Sequence, residues 1–198
     1  MSSAATTATT SAYDTDVLVL GGGLMGTTTA FFLRQHGLSV TLLERELVGR
    51  QASGTNFGNV RRQGRALHQM PLANRARDVW GRVKTLLGED LEFVPYGHLR
   101  VCYTEAQAAV LEQHARDVKP LGLDLELFNA EQLRQRWGIF APGVVAGSYS
   151  PQDGHANPRL AGPAFARAAR RAGAHIVELK GDGLASARKT IEVTAKSD

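Results

Sequence analysis

The chain of 198 residues has a single cysteine, Cys102, which rules out an internal disulfide framework, a CxxC redox pair and a CxxC metal site. One unpaired thiol, with an N-terminus lacking the basic start and apolar centre of a secretory signal, leads to the expectation of a reducing, cytoplasmic setting. Long apolar runs are also missing. None approaches the roughly 18 residues needed to cross a bilayer, so no transmembrane segment is predicted. Charge of one sign is scarce as well: the formal net charge is only +4, which argues against a nucleic-acid or membrane-surface protein. The basic stretch around Arg65, Arg75, Arg77 and Arg82 lacks the interleaved aromatics of a nucleic-acid face, and no nucleic-acid partner is expected. No metal site is predicted. With 43% hydrophobic and 21% charged residues, the composition is that of a globular domain rather than a disordered or collagen-like chain.

What the chain does have is a short β-branched run, Val17 to Leu20, that turns directly into Gly21-Gly-Gly-Leu-Met-Gly26. Gly21, Gly23 and Gly26 stand at the spacing G-x-G-x-x-G between a predicted strand and a predicted helix, the context in which this spacing cradles a dinucleotide pyrophosphate. The first glycine permits the tight turn, the second lets backbone approach phosphate, and the third lets helix lie close on strand. The helix N-terminus then offers free N–H groups and the positive end of its dipole to the anion. Gly21, Gly22, Gly23, Leu24, Met25 and Gly26 are accordingly assigned to the cofactor. Leu24, Thr28, Phe31 and Phe32 recur along this helix until Gly37, and Ser39 to Leu43 supplies the second strand of a βαβ start. Glu44, about 20 residues beyond the glycines, is the acidic residue expected to accept from ribose hydroxyls, with Arg45 beside it.

The stretch that follows departs from the nicotinamide pattern. Val48 to Gly64 is dense in Gly, Ser, Asn and Arg, as suits an irregular loop lying close to a large ligand. In the glycine triplet, Glu44-Arg45 and Ala52-Ser53-Gly54-Thr55-Asn56-Phe57-Gly58, followed by an arginine-bearing segment, the chain resembles the D-amino-acid oxidase, glycine oxidase and sarcosine oxidase superfamily of FAD enzymes. The resemblance implies FAD as cofactor, with Ser53 at the pyrophosphate and Asn56, Gly58, Val60 and Arg61 along the flavin ring. A reduced flavin carries negative charge that a cation stabilises. Arg61 or Arg62 can supply that cation, or either can face water or pair with an acid. The implied activity is oxidation of a carbon–nitrogen bond in an amino acid or secondary amine, a small-molecule substrate, with hydride passing to flavin N5 and hydrolysis of the resulting imine. No catalytic residue is assigned beyond Arg61 as a flavin-tuning candidate.

Further along, helical spacing is predicted from Met70 to Leu87, with Leu72, Ala76, Val79, Trp80, Val83 and Leu87 as its apolar stripe. Phe93 to Tyr103 reads as strand with a turn at Tyr96-Gly97-His98 and an alternating second half, Thr104 and Gln107 as a capping box, Leu125 to Phe128 as strand, and Asn129 with Gln132 as a second capping box. Asn157-Pro158 opens an alanine-rich helix with Ala161, Ala164, Phe165, Ala168 and Ala172 inward, and a strand follows from His175 to Leu179. Asp153 and His155 lie in a Pro/Gly/Asp turn cluster and are read as turn residues rather than a catalytic pair.

The fold expected is α/β: a Rossmann-like FAD-binding βαβ sheet interrupted by an inserted α+β segment of a substrate domain. The expected division is a disordered tail over 1–15, the first part of the FAD domain over 16–88, the insert over 89–150, and a return to the FAD domain over 151–198. The resemblance covers the N-terminal half of a family member. The chain is therefore expected to be a fragment or short product, with Ile191 and Val193 left on an unpaired sheet edge. Its rivals are an inactive nucleotide-binding remnant, a subunit completed by a partner chain and, less strongly, a nicotinamide-dependent dehydrogenase.

Overall fold

Four residues of β-branched and leucine character, bounded by glycine, make a short strand rather than a helix, and the first element is indeed β1 (Val17–Leu20). In a computed structural model describing residues 13–138 and 143–178, the elements continue as α1 (Leu24–Gln35), β2 (Val40–Glu44), the single turn α2 (Ala52–Thr55), β3 (Asn59–Val60), α3 (Met70–Gly81) and α4 (Val83–Leu87). The remaining elements are β4 (His98–Cys102), α5 (Glu105–Val118), β5 (Glu126–Asn129), α6 (Ala130–Trp137), β6 (Ala146–Ser150), β7 (Gly154–His155), α7 (Pro158–Arg171) and β8 (His175–Glu178). Most of the expected tail and the strand expected around Ile191 and Val193 lie outside the described residues.

The chain divides into two compact units, Met1–Gly54 with Gly162–Asp198, and Thr55–Ala161. In the first, β1, β2 and β8 form a parallel sheet in the order β1-β2-β8, with Val17 opposite Val40 and Thr41 opposite His175. Parallel pairing of β1 with β2 through α1 is the expected βαβ start, since parallel neighbours need a crossover. Asp16 fixes its register: the carboxylate accepts from the backbone N–H and hydroxyl of Ser39, which hold its pKa below the usual carboxylate value. Ala30, Phe31, Val40, Leu42, Ala164, Phe165 and Ala168 are buried. Rings of α1 and α7 meet edge-on at Phe31 and Phe165, 5.9 Å between centroids. Large side chains so buried contribute roughly 1.5–3 kcal/mol each.

The second unit is built on the antiparallel sheet β4-β6-β5. α5 covers one face through Ala108 and Leu111 against Cys102, and α6 covers the other through Leu133, whose methyls lie against Gly147. Both expected caps are present. Thr104 Oγ1 accepts from Gln107 N at 3.2 Å, and Asn129 and Gln132 form a reciprocal capping box. A second sheet pairs β3 with β7, and Met70, Val118 and Leu123 pack together as a core cluster.

Three sequence expectations differ from what is found. The predicted helix over 70–87 breaks at Arg82, and Leu72, expected inside, is 74% exposed. The inward face instead carries Asn74 and Arg77, which bond to the backbone carbonyls of Leu121 and Gln152, so polar demands of the unit override the apolar stripe. The second half of the strand expected over 93–103 is β4, after the expected turn, but the first half is reduced to an isolated bridge from Val94 to His155. Residues 55–88, expected with the cofactor domain, fall in the second compact unit, tied there by Arg62, Gln63 and Met70.

Candidate nucleotide-binding site

The glycine turn is built mainly from backbone. Gly21 takes φ +102° and its N–H donates to Leu43 O at 2.8 Å, so the chain turns while still bonded to the end of β2. A Cβ on Gly26 would overlap Gly21 O, which is the close helix-on-strand approach that the third glycine of the spacing is expected to allow. Behind the turn stand two side chains. Glu44, largely buried, accepts from Gly22 N through Oε2 at 2.6 Å and from Glu46 N through Oε1 at 2.8 Å. Ser53 Oγ accepts from Leu24 N at 2.9 Å and lies 2.9 Å from where a Gly23 Cβ would stand.

Glu44 and Ser53 thus brace the turn, a task that spacing alone does not specify. Each Glu44 oxygen has a second lone-pair direction, so the carboxylate retains acceptor capacity for a hydroxyl. Two residues without a sequence signal join them. Gly49, at φ +73°, donates to Gly22 O at 2.9 Å and packs against Pro163 of α7, and Val48 N donates to Glu178 of β8. Gly23 offers no side-chain cap and the first turn of the 12-residue α1 has no acidic residue, so the charge at its positive end is set from outside the helix, by Glu44 behind the turn. Met25 is 78% exposed at this end, and Arg45 is exposed beyond Glu44. A backbone cradle that a Cβ would fill, backed by hydrogen-bonded Glu44 and Ser53 and open at a helix N-terminus, fits a pyrophosphate.

The other predicted residues belong to the second unit. Asn56 Oδ1 accepts from Gly58 N at 2.7 Å, closing a turn in which Gly58 has φ +70° and no room for a Cβ beside Ala156 O. Val60 pairs with Gly154 in the β3–β7 ladder. Arg61 is half-buried and donates to Gln63 O. The alternatives at Arg62 are resolved by burial: its guanidinium pairs with Asp153 at 3.4 Å and also donates to Asn74, Gly122 O and Gln152.

Asp153, fully buried, also accepts from the N–H groups of Arg62 at 2.8 Å and Gln63 at 2.9 Å. It is a structural hub, as its place in a turn cluster suggests, and His155 is exposed in β7. Cys102 is buried and its Sγ donates to Ala146 O; burial pushes the thiol up, so it is a packing residue and not a nucleophile. No group of three or more His, Cys, Asp or Glu is arranged to hold a metal among the described residues. Nor, among them, is any helix long and apolar enough to cross a membrane.

The family described as DAO, FAD dependent oxidoreductase, matches residues 16–195. N-methyl-L-tryptophan oxidase of Yersinia pestis (strain Pestoides F) is 27% identical over 169 residues, covering 83% of this chain and 44% of that protein. L-proline dehydrogenase from P. horikoshii is similar with a TM-score of 0.76 and 25% identity over 82% of this chain and 43% of its own. Glycine oxidase from Geobacillus kaustophilus gives 0.75 and 25% over 83% and 46%. The chain thus spans less than half the length of these relatives. The match over residues 16–195, on a fold shared with these solved structures, means that the chain belongs to the DAO family of FAD-dependent oxidoreductases.

Proposed function

We propose that this chain holds FAD through the Gly21–Gly26 turn and serves oxidation of a carbon–nitrogen bond in an amino acid or secondary amine. The observation carrying the cofactor half is the cradle itself: a turn with no room for a Cβ at Gly22, Gly23 or Gly26, leading into a helix N-terminus. Pyrophosphate is assigned to the turn of Gly22, Gly23, Leu24, Met25 and Gly26, in which Glu44 already takes the N–H of Gly22 and Ser53 that of Leu24, leaving the N–H groups of Gly23, Met25 and Gly26 as its donors. Glu44, already bonded to two backbone N–H groups, keeps acceptor directions for the ribose, with Arg45 next to it. The assignment of Asn56, Gly58, Val60 and Arg61 to the flavin rests on the sequence motif. Arg61 is the cation kept for that role because Arg62 is committed to Asp153.

The substrate half is supported by relatives whose names are those of an N-methyl amino-acid oxidase, a proline dehydrogenase and a glycine oxidase. Bound flavin would accept the hydride from the substrate carbon next to nitrogen; the chain's own part is to bind and orient. A cytoplasmic setting belongs to the same proposal, supported by the single unpaired cysteine. Because the chain spans 44% of its curated relative, a second reading is retained: FAD binding without turnover, alone or completed by a partner subunit. Desalted protein reconstituted with FAD and assayed with sarcosine, glycine, L-proline and N-methyl-L-tryptophan separates the two. Bound flavin bleached by one of these substrates supports the enzyme, whereas bound flavin bleached by none supports the second reading.

A further inference from the structure

Gly22 is bonded on both of its sides. Its N–H goes to Glu44, and its carbonyl accepts from the N–H of Gly49 at 2.9 Å. The carbonyl of Gly22 and the N–H of Gly23 belong to one planar trans peptide and so point in opposite directions. Gly49, by drawing the Gly22 carbonyl toward itself, therefore turns the Gly23 N–H away from the loop behind the turn. That N–H has no acceptor among the described residues, and it is one of the three donors assigned to pyrophosphate.

Gly49 is itself locked in place. It stands at φ +73°, where glycine alone is at ease, and a Cβ on it would lie 2.7 Å from Pro163 Cδ. A Cβ on Gly162 would lie 3.1 Å from Gly49 Cα, and one on Gly54 would overlap Gly49 O. The residue before it is fixed by a bond, because Val48 N donates to Glu178 Oε1 at 2.7 Å across 130 residues of chain. All of these groups belong to the first unit.

Glu178 has an unusual neighbour. In the parallel pairing of β2 with β8 it stands opposite Glu44, so two carboxylates lie side by side at the strand ends, where like charges are unfavourable. They take alternate N–H groups of the loop that follows β2, Glu44 that of Glu46 and Glu178 that of Val48. The second oxygen of Glu44 goes to the turn, and that of Glu178 meets Arg170 at 3.2 Å. An apolar residue at 178 would avoid the repulsion and leave the Val48 N–H without its acceptor. Both oxygens of Glu178 are engaged, so it acts on a ligand through the chain it holds.

We infer, resting on the FAD reading of the turn, that Glu178 is a positioning residue for the cofactor. Through Val48 and Gly49 it sets the Gly22–Gly23 peptide, so that the Gly23 N–H faces the pyrophosphate. Glu44 and Glu178 thereby divide the work: the first orients the peptide before Gly22, and the second orients the peptide after it.

The test labels the full chain with glycine carrying 13C at the carbonyl and 15N at the amide. Glycine follows glycine only in Gly21-Gly22-Gly23, so a carbonyl–amide correlation spectrum holds two signals, and Gly23→Ala removes that of the Gly22–Gly23 peptide. Glu178→Ala is expected to move this signal in the cofactor-free chain and to raise the Kd for FAD, measured by flavin fluorescence, roughly ten-fold. Glu178→Gln keeps an oxygen for Val48 N and should return the signal to its wild-type position and the Kd to within about three-fold of wild type. Far-UV circular dichroism and the unfolding midpoint check each fold. Should Glu178→Ala not fold, Glu178→Asp, which keeps the charge but draws it back from Val48 N, carries the same comparison. A folded variant lacking the bond whose signal and Kd both match wild type overturns the inference, as does one that loses only stability, since a merely structural role gives that result. Glu178→Gln binding as weakly as Glu178→Ala also overturns it, by making the charge responsible. A wild-type chain that takes up no FAD overturns the cofactor reading instead, and the signal of the cofactor-free chain then still decides whether Glu178 sets this peptide.

Discussion

The glycine turn of the first unit and the Arg62–Asp153 knot of the second are both polar junctions, but they are held in opposite ways. The turn excludes side chains and relies on backbone N–H groups, with Glu44 and Ser53 as braces from the rear. The knot gathers side chains: one carboxylate satisfies two backbone N–H groups and a guanidinium that itself reaches Asn74, Gly122 and Gln152. A backbone cradle leaves donor capacity for a ligand, whereas the saturated knot leaves little. This is why the first is proposed as the site of binding and the second read as scaffold, although both contain charged residues that invite a functional reading.

The sharpest way to break the comparison is Asp153→Ala. It leaves a buried guanidinium and two N–H groups without their acceptor, and the expected loss of stability is about 3–5 kcal/mol by denaturant unfolding. Asp153→Asn should lose part of this, since its amide turns one acceptor into a donor facing donors. On the side of the turn, Gly26→Ala forces a Cβ into Gly21 O, with an expected cost of about 1–3 kcal/mol and loss of bound flavin. Stability should therefore fall further in the knot variant, and flavin retention further in the turn variant. Ser53→Ala removes only the acceptor for Leu24 N and is expected to cost about 1 kcal/mol, with a few-fold rise in the Kd for FAD measured by flavin fluorescence.

The smallest effect concerns pH. Burial, then Arg61 and Arg100, hold the His98 imidazole below its usual value against the pull of Asp153. Burial and then Arg100 do the same at His114, against Asp117. The unfolded chain thus binds more protons between these lowered values and the ordinary 6.5. Stability should be full above about pH 6.5, fall as pH drops through that value toward the lowered ones, and level off below them. His114→Gln, which keeps an acceptor for Gly64 N, should flatten the slope of the unfolding midpoint between pH 5 and 7.

Where the decisive contacts are close in sequence, the residues announce them. The G-x-G-x-x-G spacing, the parallel β1–α1–β2 unit and the capping at Thr104 and Asn129 are local, and each is found in place. Where a contact joins distant positions, it was not legible. Arg62 and Asp153 are 91 residues apart, so the same arginine reads equally well as a flavin cation or a structural ion until the fold brings the carboxylate to it. The exposed Leu72 has the same origin: Asn74 and Arg77 serve bonds to Leu121 and Gln152 that no helical periodicity contains. Glu44 lies between these cases. Its position at the end of β2 was predictable, and its bond to Gly22 N across the turn was not.

The most direct test of the central claim is the visible spectrum of the purified chain, incubated with FAD and then desalted, beside Gly26→Ala. Flavin bands near stoichiometric in the wild type and absent from a folded Gly26→Ala are the predicted result. A colourless wild-type chain, or equal flavin in both proteins, contradicts a cofactor cradle at Gly21–Gly26.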